Sequence, residues 1–145
     1  MSQRMNVGEL APEGYRAVLG LEKYLHKNLD VRLHDLVKLR ASMLNGCAYC
    51  VDLHGTDLLK NGDDVRRVLG VSAWREFPGF DARERAALAL TDEVTRLGEH
   101  GVSDETWDTA RANFTDKEVA DLILAIGAIN LWNRIGVTTR LQPAV

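Results

Sequence analysis

Helix start and stop signals divide the whole sequence, and no segment alternates apolar and polar residues over the length of a β-strand. Residues 81–84 and 115–118 both have the form of a capping box, which opens a helix. Asn45-Gly46 and Asn61-Gly62 are typical of helix ends. Between these signals apolar residues recur every three or four positions, as on the buried face of a helix. The sequence therefore predicts an all-α fold.

Eight helices follow from these signals. They cover residues 13–27, 31–44, 47–60, 64–69, 72–77, 81–97, 104–114 and 116–139. The last is apolar on several sides, which indicates contact with a partner subunit as well as with its own domain. No repeat, low-complexity stretch or charge block divides the 145 residues, so we expect a single domain over residues 1–145.

The charge of the chain argues against two classes of partner. Its formal net charge is −3, so nucleic acid and anionic membrane surfaces are not expected to bind it. The first residues contain no apolar run like that of a signal peptide, and no stretch approaches the roughly 20 apolar residues of a membrane span. We expect a cytoplasmic protein that acts on a small molecule or another protein.

A pair of cysteines carries the clearest chemical signal. Cys47 and Cys50 are the only two cysteines, and His54 follows four positions later. At about 100° of turn per residue, the three side chains project from one side of a single helix. In a reducing cytosol such a pair is more often catalytic or metal-binding than a structural disulfide, although inert buried thiols are an alternative. A zinc site lacks a fourth ligand, because no other histidine has suitable spacing: His26, His34 and His100. We expect redox chemistry with no metal and no organic cofactor.

Two features favour a reactive thiolate. Gly46 places the pair at a helix N-terminus, where unpaired N–H groups and the helix dipole stabilise an anion, which favours Cys47. His54 lies one turn beyond Cys50 and can accept its proton, which favours Cys50 instead. Spacing alone leaves this choice open. A thiolate oxidised by a hydroperoxide becomes a sulfenic acid, which the second thiol converts to a disulfide. An external thiol or dithiol reductant must then restore the pair.

The run over residues 33–54 resembles the carboxymuconolactone decarboxylase family, specifically its alkylhydroperoxidase D-like branch, and residues 128–135 resemble it too. The resemblance implies an all-helical fold that forms homo-oligomers, often trimers or hexamers. It also implies a thiol peroxidase cycle in which Cys50 is oxidised and Cys47 resolves it. Asp35 and His54 match the family's proton relay. On this ground we assign the attacking thiol to Cys50.

Asp35 departs from the family pattern. The usual residue at its position is glutamate, which is one methylene longer, so direct contact with His54 is left open and a water is an alternative bridge. Helical phasing sets Asp35 about 160° from Leu33, away from much of the apolar stripe, so a solvated surface carboxylate is the competing interpretation.

Three functions fit these observations. The first is an alkylhydroperoxidase D-like enzyme that reduces hydroperoxides. The second is a dithiol-disulfide reductase or redox adaptor that acts on another protein. The third is a non-enzymatic, stress-related oligomer whose dithiol only changes redox state. The related decarboxylases lack the dithiol, so Cys47 and Cys50 argue against decarboxylation here.

Polar residues interrupt the apolar C-terminal helix. Asn130, Asn133 and Arg134 are predicted to hydrogen bond between helices or subunits, because buried amides and guanidinium groups need partners, with contact to a substrate as the alternative. Tyr49 and Trp132 are expected to pack in the core, with a place in a pocket wall as the alternative.

Overall fold

The computed structural model describes all 145 residues, and every regular element in it is helical. The α-helices are α1 (Val7–Leu10), α2 (Pro12–Asn28), α3 (Val31–Asn45), α4 (Ala48–Lys60), α5 (Val65–Gly70), α6 (Ala82–Thr95), α7 (Asp104–Asn113) and α8 (Asp116–Thr139). A single 3₁₀ turn, Val71–Ala73, continues α5. The predicted all-α class is confirmed, whereas the homo-oligomer stays a prediction.

The helices begin where polar caps satisfy their first N–H groups. Asp30 accepts from the backbone N–H of Leu33 at 3.0 Å and so opens α3. Asp81 and Thr115 form complete capping boxes at the starts of α6 and α8, as the sequence predicts. The short helix α1 was not predicted, and Asn6 caps it.

The predicted helix over residues 72–77 is wrong. The chain makes the 3₁₀ turn Val71–Ala73 and then an irregular turn. Pro78 prevents the helix from continuing, because it has no N–H to pair with the carbonyl of Trp74. The carbonyl oxygens of Trp74, Arg75 and Phe77, which the last turn of a helix leaves unpaired, accept hydrogen bonds from the guanidinium of Arg85 on α6.

α3 is the centre of the fold. It packs on α4, α6 and α8, and nine of its residues are buried. One core cluster lies mainly between α2, α3, α6 and α8. A second cluster lies on the other side of α3 and is formed by Leu36, Leu39, Leu58, Val71, Trp74, Phe80 and Leu88. Because α3 is covered on several sides, its polar residues are held inside the molecule.

α8 is long and apolar enough, by length and composition alone, to cross a membrane. In this structure 44% of its most apolar stretch is buried, and the helix packs on α2, α3, α4 and α6. One side of α8 is therefore used in the protein core, while Ile123, Leu124, Leu131 and Val137 remain exposed. The predicted contact with a partner subunit stays a prediction.

Candidate active site

The dithiol lies at the turn between α3 and α4. Gly46 adopts φ +66°, in the left-handed region that glycine favours, and ends α3. The N–H of Cys47 donates to the carbonyl of Ser42 at 3.0 Å, and Cys47 is the N-cap of α4. The N–H of Cys50 donates to Cys47 Sγ at 3.3 Å. Both sulfurs therefore lie at the positive end of the α4 dipole.

The two sulfurs are joined as a disulfide and are nearly sealed from solvent. The exposed fraction is 1% for Cys47 and 4% for Cys50. They pack against the backbone of α8 at Gly136, where an added Cβ would lie 2.9 Å from Cys47 Sγ. Only a glycine allows α8 to approach the sulfurs so closely.

A cavity of about 530 Å³ opens beside Cys50. Its wall is formed by the N-terminal segment and by α2, α3, α4 and α8, and its main apolar and aromatic members are Tyr15, Leu19, Tyr49, Leu53, Trp132 and Ile135. Cys50 belongs to this wall and Cys47 does not. The cavity is within the size range of sites for small organic molecules.

The aromatic residues of the wall were expected in the core, and the structure places them at the cavity instead. The rings of Tyr15 and Trp132 meet edge to face, 5.1 Å apart between centroids. Trp132 Nε1 donates to Glu22 Oε1 at 3.1 Å, which fixes the indole. Tyr49 lies beside Cys50 in sequence and lines the same cavity.

His54 lines the cavity together with Cys50. It is buried, and its Nδ1 has no hydrogen-bond partner in the protein. Burial is the main reason that its pKa is lowered to about 3, and the positive charge of Lys38 lowers it further. At neutral pH His54 is therefore a neutral imidazole with a free polar atom, which is the form that can accept a proton.

Asp35 is buried, so the alternative of a solvated surface carboxylate is wrong. Lys38 Nζ lies 3.2 Å from Asp35 Oδ1, and Asn61 Nδ2 donates to Asp35 Oδ2 at 3.1 Å. Burial raises the pKa of Asp35, while the neighbouring Lys38 opposes that rise. No direct hydrogen bond joins Asp35 to His54, although ligand atoms of the two side chains lie within 4.8 Å of each other. A single water can bridge polar groups at such a separation.

Sequence reasoning missed three members of this site. Lys38 and Asp57 line the cavity, and Asn61 holds Asp35. Lys38 had a usable signal, because it lies three positions after Asp35 and so on the same side of α3. No sequence signal linked Asn61 to the site, because the Asn61-Gly62 pair was interpreted as a helix end.

An amide network fixes the end of α3 against α8 next to the disulfide. Asn45 Nδ2 donates to the side-chain oxygens of Asn130 and Asn133, both at 2.9 Å. Asn133 Nδ2 donates to Ser42 Oγ at 2.9 Å. The predicted hydrogen bonding between helices is confirmed for the two asparagines, whereas Arg134 bonds only within α8, to Asn130.

Comparison with known proteins bears on the family and the fold of this chain. The model of the carboxymuconolactone decarboxylase family matches residues 11–93. The uncharacterized Bacillus subtilis protein YdfG is 36% identical over 138 residues, which is 94% of each chain. A solved Agrobacterium tumefaciens protein of unknown function, described as a candidate antioxidant defence protein AhpD, superposes with a TM-score of 0.96 at 42% identity over 99% of both chains.

A further similarity concerns the fold alone. The debrominase Bmp8, solved in complex with 2,3,4-tribromopyrrole, has a TM-score of 0.84 and 17% identity, covering 94% of this chain and 74% of Bmp8. The same arrangement of helices therefore supports more than one chemistry, and the activity has to be argued from the residues of the site.

Proposed function

Because this chain belongs to the carboxymuconolactone decarboxylase family, we propose that it is a thiol-dependent hydroperoxide reductase of the alkylhydroperoxidase D type. One observation carries the proposal. Cys50 forms a disulfide at a helix N-terminus and lines a cavity large enough for a small organic molecule. The neutral imidazole of His54 lines the same cavity. A thiol that faces a cavity and has a proton acceptor beside it is suited to attack a small oxidant.

In the proposed cycle the Cys50 thiolate attacks the terminal oxygen of the hydroperoxide and the O–O bond breaks. The sulfur loses two electrons and becomes a sulfenic acid, and the other oxygen takes a proton and leaves as an alcohol. The Cys47 thiol then attacks the sulfenic sulfur, which forms the disulfide and releases water. An external thiol or dithiol supplies two electrons and two protons to reopen the disulfide.

The division of roles between the two cysteines rests on their surroundings. Cys50 faces the cavity, whereas Cys47 lies outside its wall and packs against Gly136. A hydroperoxide that enters the cavity therefore meets Cys50 first. Cys47 is one helical turn away, where it can resolve the oxidised sulfur.

His54 and Asp35 are proposed as the proton relay. His54 is unprotonated at neutral pH, and its Nδ1 has no other partner, so it is available to take the proton of the Cys50 thiol. The thiolate that forms beside it favours the imidazolium and so raises the pKa of His54 above its value in the disulfide form. Asp35 lies close enough to exchange that proton with His54 through a bridging water.

Burial of the disulfide makes action on another protein the weaker alternative. Another protein's disulfide has to reach a sulfur directly, and only 4% of Cys50 is exposed. A small peroxide can enter through the cavity. Slow peroxide turnover together with fast reduction of a protein disulfide would reverse this preference, and absence of turnover with every reductant would favour a non-enzymatic role.

The test compares two single-cysteine variants. With cumene hydroperoxide and excess dithiothreitol, we expect Cys50→Ser to lose peroxide consumption entirely. Cys47→Ser keeps the attacking sulfur and is the matched control. Once it is reduced and freed of dithiothreitol, we expect it to consume one equivalent of peroxide rapidly and to stop as a sulfenic acid, because no second thiol remains to condense with it. Mass analysis of the intact protein counts the added oxygen. Wild-type rates in Cys50→Ser would show that the proposal is wrong.

A further inference from the structure

A lysine is buried in the wall of the cavity. Lys38 is only 4% exposed and lies in the same cavity wall as Cys50 and His54. Lysine is almost never so deeply buried unless it is paired. Its partner is Asp35, at 3.2 Å from Lys38 Nζ, and the pair is enclosed on both sides.

The titratable groups around the dithiol come from several helices. α2 contributes Tyr15, Glu22 and His26; α3 contributes His34, Asp35 and Lys38; α4 contributes Tyr49, His54 and Asp57. Burial lowers the pKa of His34 to about 3, so it is neutral at neutral pH. The N-terminal segment and α8 add only uncharged residues to the cavity wall. His26 is more than half exposed, so its interactions are screened by solvent. Lys38 is therefore the buried cationic side chain of the site.

Lys38 also accounts for a cluster that resembles a metal site. Ligand atoms of Asp35, His54 and Asp57 lie within 4.8 Å of one another. The Lys38 ammonium already lies beside Asp35, where it supplies a positive charge to the cluster. We therefore assign no metal to these residues.

The chemistry of the cycle requires a positive charge close to Cys50. A thiolate in a buried site loses its hydration and needs compensation from nearby dipoles or cations. The α4 N-terminus supplies a partial charge only. His54 cannot supply a full charge while it is neutral, and its pKa is about 3. The Lys38 ammonium is the remaining buried source.

We propose that Lys38 is a positioning residue of the dithiol site, whose ammonium stabilises the Cys50 thiolate. The Asp35 carboxylate holds the ammonium in place and partly offsets its charge. The proposal deepens the peroxidase function and rests on it, but its consequence for the Cys50 thiol can be measured without any peroxide.

The experiment measures how fast iodoacetamide alkylates Cys50 in the reduced, full-length protein between pH 4 and pH 10. All proteins carry Cys47→Ser, which leaves one thiol and retains a good helix N-cap. The alkylation rate follows the fraction of Cys50 that is thiolate, so the midpoint of the rate–pH profile reports the pKa of the Cys50 thiol. Circular dichroism checks that each variant is folded.

We expect Lys38→Met to raise the midpoint by about one pH unit, so that alkylation at pH 6 is roughly tenfold slower. Lys38→Arg should restore the wild-type midpoint, because it restores the charge. Asp35→Asn removes the opposing carboxylate and should move the midpoint down. A general packing defect would shift Lys38→Met and Asp35→Asn in the same direction.

An unchanged midpoint in Lys38→Met, or equal shifts in Lys38→Met and Asp35→Asn, would overturn the inference. If Lys38→Met is not folded, Lys38→Gln replaces it with the same expected shift. A different result would contradict the proposed peroxidase function, namely that the wild-type protein consumes no peroxide. If the wild-type protein has no peroxidase activity but Lys38→Met still shifts the midpoint, the role of Lys38 at the thiol stands and only the hydroperoxide is excluded as the substrate.

Discussion

Replacement of Gly136 by alanine should affect the oxidised protein more than the reduced protein. Gly136 is buried in α8, and an added Cβ would lie 2.9 Å from Cys47 Sγ and 3.5 Å from Cys50 Sγ. In the disulfide form the S–S bond holds both sulfurs, so neither can turn away from the new methyl group. In the reduced form the Cys47 thiol is free to adopt another rotamer.

The size of the effect follows from two opposing contributions. Overpacking of a well-packed core costs about 1–3 kcal/mol. Alanine in place of glycine within a helix contributes about 1 kcal/mol in the other direction. The free energy of unfolding of the oxidised protein should therefore fall by up to about 2 kcal/mol, while that of the reduced protein changes little or rises. Because about 30 mV corresponds to 1.4 kcal/mol for a dithiol couple, the reduction potential should rise by roughly 20–65 mV.

Urea unfolding of the oxidised and the dithiothreitol-reduced protein measures the first quantity, and titration in redox buffers of known potential measures the second. Gly20→Ala is the matched control, because Gly20 is exposed in the middle of α2 and nothing lies within 4 Å of an added Cβ. It should stabilise both redox forms by about 0.5–1 kcal/mol and leave the potential unchanged. Equal behaviour of Gly136→Ala and Gly20→Ala would refute the close packing of α8 on the sulfurs.

Two further variants test the surroundings of the site. Asn133→Ala should lower the free energy of unfolding by about 1–3 kcal/mol, because it removes the partner of buried Ser42. Asn28→Ala, at an exposed position, should cost less than about 0.5 kcal/mol in the same urea experiment, and equal losses would contradict the network. His34 and His54 have pKa values lowered to about 3, mainly by burial, so below about pH 6.5 the unfolded chain binds protons that the folded protein does not. Stability should therefore fall as the pH drops from about 6.5 toward 3, by about 3 kcal/mol per pH unit for both groups together, and His34→Leu should halve that slope; identical slopes in the two proteins would exclude the effect.

Much of the fold was predictable because helix boundaries are set by local chemistry. Asp81 and Thr115 open helices through contacts with residues three positions away, and Gly46 ends one through its own backbone freedom. Such contacts depend only on neighbours in the chain. The segment after Val71–Ala73 was predicted as a helix, but it is an irregular turn whose free carbonyl groups are bound by Arg85 from a different helix, a contact that no local pattern records.

The candidate site was predictable to the same extent. Cys47, Cys50 and His54 belong to one short stretch, so helical periodicity alone brings them together. Asp35 was assigned by resemblance, and its burial could not be read from the phase of α3, because that helix is covered by neighbours on several sides. Asn61 reaches Asp35 across 26 positions of the chain, a contact that no local pattern records.

The amino-acid sequence by itself determined three features: the all-α class, the position of Cys47 and Cys50 at a helix N-terminus, and the position of His54 one helical turn beyond Cys50. Each depends only on residues within about four positions of one another. Only the tertiary structure decided that Cys50 rather than Cys47 faces the cavity, that Lys38 is enclosed beside Asp35 and that Gly136 lies against the disulfide. These features depend on which sides of α3, α4 and α8 meet. That choice is made by the burial of apolar surface over the whole chain, and burial has no fixed spacing in sequence.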